Sequence, residues 1–171
     1  MKKIVITLTT LMSVLLSAAA QESVPAYRAT GYKGNVSLVN TGLLWNGIDT
    51  SHGYMFNERY YWGGGANFGF MPWGNTAIIA AGVFTEAQAY WLPRKNTPIT
   101  AVRLNYVRNF SGDSHNLFAD ITVGWSWGLG SQYGLSLKAG FSAPIIGGLS
   151  WVNIDLHPVY LAPVFSVSFE F

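Results

Sequence analysis

An all-β fold, an eight-stranded antiparallel up-and-down transmembrane β-barrel, is what this sequence predicts, and three observations predict it. Apolar and polar side chains alternate with a two-residue period through segment after segment. Charged residues make up only 11% of a chain that is 50% hydrophobic and 15% aromatic, against about a quarter charged in ordinary soluble domains. The uncharged stretch between Arg59 and Glu86 holds six Gly and Pro72, which disfavours a membrane helix and leaves strands and turns.

The chain opens MKKIVITLTTLMSVLLSAAAQ, with Lys2 and Lys3 before the apolar run Ile4 to Leu16 and an A-x-A site at Ala18 to Ala20. That is the layout of a cleaved secretory signal, expected over residues 1–20. Its apolar part is shorter than the roughly 20 residues of a bilayer span. Residues 21–33 are then expected to form a short periplasmic N-terminal segment, and 34–171 the barrel. Cleavage would remove two of the ten Lys+Arg and none of the eight Asp+Glu, so the mature chain is formally neutral. No basic surplus remains for a nucleic-acid partner. With no Cys, neither disulfides nor a lipoprotein anchor are available.

Eight strands are expected, at 34–45, 49–57, 60–71, 81–92, 98–109, 117–129, 132–143 and 160–171. The first loses its alternation near Asn40, where a bulge is expected. In the fourth, Val83, Ala87, Ala89 and Trp91 oppose Phe84, Glu86, Gln88 and Tyr90. In the fifth, Val102, Leu104 and Tyr106 oppose Arg103 and Asn105. In the sixth, the row from Leu117 to Trp127 opposes Asp120, Thr122, Gly124 and Ser126. The seventh sets Tyr133, Leu135, Leu137 and Phe141 against Ser136 and Lys138, and the last sets Phe165, Val167, Phe169 and Phe171 against Ser166, Ser168 and Glu170.

Two-faced strands suit either a soluble barrel, apolar inside, or a membrane barrel, apolar outside. The polar faces here carry small Gly, Ser, Thr and Asn rather than the long Lys and Glu of a soluble exterior. Tyr60, Trp62, Trp91, Trp127, Tyr133 and Tyr160 sit towards strand ends, where amphipathic rings match a membrane interface. Both features favour the inverted arrangement. An even strand number puts both termini on one side, with turns at NERY, PRKNT and GSQ on that side. The longer links at 71–80, 111–116 and 144–159 would face outward, beside one short link near Asn46 to Asp49.

The quoted segments AAAQ, GYKGNVSL, HGYMFNERYYWGGGANFGF and SVSFEF together resemble the small eight-stranded outer-membrane barrels of Gram-negative bacteria, the OmpA-transmembrane-domain and OmpX-like group. The resemblance covers the expected mature chain. It implies an outer-membrane location with both chain ends periplasmic, a monomer among outer-membrane lipids, and a C-terminal signal read by the barrel-assembly machinery. Val167, Phe169 and Phe171 would carry that signal. No peptidoglycan-binding domain is expected, so that anchoring role is not implied.

By parity Glu86, Arg103, Asp120, Lys138 and Glu170 point into a lumen only wide enough for side chains. Opposite signs on successive strands read as a plug of compensating charges rather than an ion path. DTSH at Asp49 to His52 and GDSH at Gly112 to His115 hold the parts of an acyl-transfer triad, so a lipid acyltransferase or lipase is an alternative, and a lipocalin-like periplasmic carrier a third. These residue types are also ordinary in loops, and catalysis is not the expected function. No cofactor and no metal site are expected, since the three His are far apart and Cys is absent. The sequons at Asn35 and Asn109 are assigned no function. The expected role is structural or surface-interacting through the outer loops.

Overall fold

The computed structural model describes residues 28, 30–111, 114–129, 133–146 and 161–171, with Trp73 described in its backbone only. The signal segment, Asp113, Trp151, His157 and Tyr160 lie outside the described residues. Eight strands follow one another: β1 Gly31–Thr41, β2 Trp45–Met55, β3 Tyr60–Trp73, β4 Thr76–Tyr90, β5 Asn96–Asn109, β6 Ser114–Leu129, β7 Tyr133–Ile146 and β8 Ala162–Glu170. Each pairs antiparallel with the next, and β8 returns to β1, closing the barrel. Closure removes both sheet edges.

Strand β1 starts at Gly31, so Lys33, expected in the short N-terminal segment before the barrel, is a strand residue. The first turn lies at 42–44 and not at Asn46 to Asp49, which belong to β2. Gly42 and Leu43 turn the chain with φ of 63° and 65°. Glycine adopts that left-handed region without penalty, whereas leucine does so at a cost. The apolar run Leu43, Leu44, Trp45 reads as strand in the sequence, which is why the turn was expected downstream. The β1–β2 register is unbroken past Asn40, so the expected bulge is absent there; a register shift occurs instead between Leu117 and Phe118, where β6 meets β7.

The links expected to be long at the end opposite the termini are shortened by strand growth. Trp73 pairs with Thr76, leaving Gly74 and Asn75 as the turn of what was expected to be a loop at 71–80. Gly74 has φ of 57°, the conformation a tight hairpin needs. β6 reaches back to Ser114, and β7 runs to Ile146. The described turns are therefore short at both ends, and the expected asymmetry of loop length rests on the segment between β7 and β8 alone.

Side chains sort by parity. Outward stand Leu38, Ile48, Phe68, Val83, Leu104, Ile121, Val123, Leu137 and Phe165, all largely exposed; inward stand Asn35, Ser51, Glu86, Thr97, Ser126, Ser136 and Ser168, each at most 2% exposed. Packing inside relies on glycines that face large rings. A Cβ added to Gly69 would come within 2.6 Å of the Trp45 ring, and one on Gly65 within 2.7 Å of Phe84 Cζ. The rings thus take the space that these glycines leave open.

Candidate functional site

The lumen gathers most of the barrel's charge. Its central group is Arg103, whose guanidinium pairs with Asp49 Oδ2 and, at 3.3 Å, with Glu86 Oε2. The ring of Phe84 lies 4.0 Å beneath that guanidinium. Glu86 also accepts a 2.6 Å bond from the Ser51 hydroxyl, which stands 2.7 Å from the Tyr61 hydroxyl. Asn35 reaches both Ser51 and Glu86, and Ser37 spans to Ser168 of β8 at 2.8 Å. A carboxylate holding several such partners is anchored where an unpartnered one would be driven out.

A second group sits nearer the chain termini. Glu170 meets Lys33 Nζ at 3.1 Å and Arg28 Nη2 at 3.8 Å. Lys33 also donates to the Tyr90 hydroxyl and lies over the Tyr90 ring, as does Arg28. Arg28 extends across the mouth, donating to Ser126 Oγ at 2.6 Å and to the Arg94 carbonyl at 3.0 Å. Met55, Tyr61, Tyr90 and Ile99 form an apolar cluster around this group. The opposite end of the lumen buries Met71, Ala80 and Val164 together with the polar Asn109 and Asn116.

All five charges expected inside the lumen face inward. Glu86 and Arg103 form an ion pair. Asp120 stands opposite Arg103 in register, but Arg103 spends its donors on Asp49 and Glu86, and Asp120 Oδ1 has no hydrogen-bond partner among the described residues. Glu170 pairs with Lys33 and Arg28 across the β8–β1 seam. Lys138 is buried and in the field of both Glu86 and Glu170. Sequence reasoning missed Asp49, Lys33 and Arg28. The displaced first turn hid Asp49, although the alternation Asp49, Ser51, Gly53 carries the signal; Lys33 and Arg28 preceded the expected barrel.

The triad candidates do not assemble from DTSH. Asp49 and Ser51 are buried in the lumen while His52, one residue on, points to the outer face, as the strand's two-residue period requires. His52 bonds the Tyr32 hydroxyl at 2.6 Å and lies edge-on to Phe171. It sits near the termini, whereas His115 lies at the other end, bonded to the Tyr106 hydroxyl at 2.6 Å. Both motifs adjoin links expected on the outer side, but the two histidines lie at opposite ends of the barrel. Among the described residues no cluster of His, Cys, Asp and Glu suited to a metal occurs.

Tyr60, Trp62, Trp91 and Tyr133 are exposed on the outward face, and Trp127 is half-buried. All five gather at the end of the barrel that carries the chain termini. Trp62 and Trp91 turn their indole N–H groups to Thr85 and Thr100, at 2.8 and 2.9 Å. Val167, Phe169 and Phe171 are likewise exposed, and Tyr133 stacks on Phe169 at 5.6 Å.

No family model matches the chain, and no curated protein matches it by sequence. Among solved structures it is similar to Neisserial surface protein A, NspA, at 14% identity and a TM-score of 0.53, covering 82% of this chain and 94% of that one. A de novo designed transmembrane β-barrel is similar at 10% identity and a TM-score of 0.50, over 88% of this chain and 98% of the design. At such identities the likeness concerns the backbone. The chain has the fold of the small eight-stranded transmembrane β-barrels.

Proposed function

We propose that this protein is an integral barrel of the bacterial outer membrane, with a lumen closed by paired charges and a structural or surface-interaction role. The observation that carries the proposal is the inversion of polarity between the two faces of the sheet. Outward, Val102, Ile121, Val123 and Leu137 are each at least half exposed, while inward Ser51, Glu86 and Lys138 are buried. A continuous apolar exterior of this size is far beyond the patches that monomeric soluble proteins display. A water-soluble lipocalin-like carrier has the opposite distribution, so the inversion weighs against that alternative.

Lumen closure is supported by Arg103, Asp49 and Glu86 spanning the middle, with Tyr61, Tyr90 and Arg28 across the terminal end. An eight-stranded barrel leaves room for little else. The role assigned to the exterior is then display of the β7–β8 link, beside which Ile145 and Ile146 are exposed. We assign the chain no catalytic activity; the opposite facing of Ser51 and His52 supports that assignment. Assembly by recognition of Val167, Phe169 and Phe171 belongs to the same proposal.

Fractionation of expressing cells tests the location. The protein is expected in the outer-membrane fraction, migrating faster on gels when unboiled; recovery in osmotic-shock fluid with no heat-dependent shift would overturn the reading. Planar bilayer recordings test the lumen. Steady single-channel currents from the purified folded protein would refute closure.

A further inference from the structure

Among the described strand residues, Arg108 is the only Asp, Glu, Lys or Arg on the outward face. It follows Val102, Leu104 and Tyr106 along the outward row of β5 and is exposed like them. Directly opposite on β6 stands His115, also exposed and outward. Their Cβ atoms are therefore about 5 Å apart as cross-strand neighbours. Tyr106 stacks on His115 at 5.9 Å and 26°, its hydroxyl 2.6 Å from Nδ1, and the Phe110 ring lies 5.9 Å from the Arg108 guanidinium. In the tautomer whose Nδ1 accepts from the phenol, the imidazole carries an N–H donor at Nε2.

The height of this group on the barrel follows from register. Trp91, in the aromatic girdle near the termini, bonds Pro98, and ten residues of β5 separate Pro98 from Arg108. At about 3.4 Å per residue and a tilt near 40°, that is about 26 Å along the barrel axis. The apolar band of an outer-membrane barrel is about 25 Å tall. Arg108 thus stands one hydrocarbon thickness from the Trp91 girdle, in the opposite headgroup layer. An outward arginine is costly at the bilayer midplane and readily accommodated at the interface. The headgroups offered there include phosphates, which a guanidinium engages through paired N–H donors.

We infer that Arg108 and His115 form a binding site for the phosphate of a lipid headgroup in the leaflet opposite the chain termini. The inference rests on the membrane-barrel reading proposed above. Phe110 and Tyr106 flank the two donors, giving rings for the upper acyl chain or sugar and confining the guanidinium. The site would hold one lipid at a fixed position on the β5–β6 face.

The test uses the full-length folded protein in neutral detergent with diphosphoryl lipid A as the probe, its retention read by native mass spectrometry. The dephosphorylated lipid and inorganic phosphate serve as comparisons. Retention of the phosphorylated lipid is expected to fall about tenfold in R108Q, the loss of one charge-assisted pair, with a smaller fall in H115F and an intermediate one in R108K. Unboiled gel mobility verifies that each variant is folded, and R108K serves if R108Q is not. Equal retention by R108K, R108Q and the parent overturns the inference, as does equal retention of the dephosphorylated lipid. Competition by millimolar inorganic phosphate that abolishes retention assigns the site to free anion and also overturns it. Failure of the parent to insert into phosphatidylcholine vesicles would instead refute the membrane-barrel reading.

Discussion

Gly34 and Phe171 exchange both backbone hydrogen bonds, at 2.8 and 2.9 Å, so that the last residue of the chain is tied to the strand that opens the barrel. The Phe171 ring also covers Gly34: a Cβ there would lie 2.6 Å from its Cε2. Gly34→Ala should therefore push the Phe171 ring aside and destabilise the barrel modestly, by about 1 kcal/mol. In a Phe171→Ala background the same change should cost far less, because the obstructing ring is gone. Urea titrations of the four proteins in lipid vesicles measure this coupling; strict additivity would show that the ring and the glycine are independent.

Deleting Phe171 removes two backbone bonds and the seam contact with His52. If the exposed row Val167, Phe169, Phe171 is also read during assembly, membrane yield in cells should fall more than the unfolding free energy of the purified folded variant. Equal yields for the deletion and the parent would count against an assembly role.

Arg103→Met should be the most damaging single change in the lumen. It leaves Asp49 and Glu86, both joined to Arg103 by ion pairs, facing each other without their shared cation. Removing one partner of a buried ionic group costs about 3–5 kcal/mol. Unfolding in vesicles should register that loss, and adding Glu86→Gln should recover part of it by removing one orphaned charge.

Two tryptophans provide a depth gauge. Trp62 is 60% exposed on the outward face, whereas Trp45 packs inside against Gly69. Single-tryptophan variants in brominated lipid should show strong fluorescence quenching for Trp62, most with bromine near the headgroup, and weak quenching for Trp45. The reverse order would turn the barrel's faces around.

Much of this was legible in the sequence, because a strand's two-residue period assigns every side chain a face once one is assigned. Glu86, Arg103, Asp120, Lys138 and Glu170 followed from that rule alone. What escaped it were positions where the period is interrupted. Leu43 is 70% exposed in a turn, and the usual polarity of turns gave no warning of it. One misplaced turn concealed Asp49, the second carboxylate on Arg103. Pairing was equally hidden: parity says which residues face the lumen, while rotamers and register decide that Glu170 reaches Lys33 rather than resting on Lys138 alone.

The bridge from Glu170 to Lys33 and Arg28 joins the penultimate residue to groups at the start of the barrel. Until β8 has docked, those two cations have no carboxylate from it beside them in the mouth lined by Met55, Tyr61, Tyr90 and Ile99. Docking β8 against β1 and neutralising the two cations at the terminal mouth are therefore one event. A truncated chain would lack more than an edge; it would carry two buried positive charges without their counterion, and so could not rest stably in a nearly closed state.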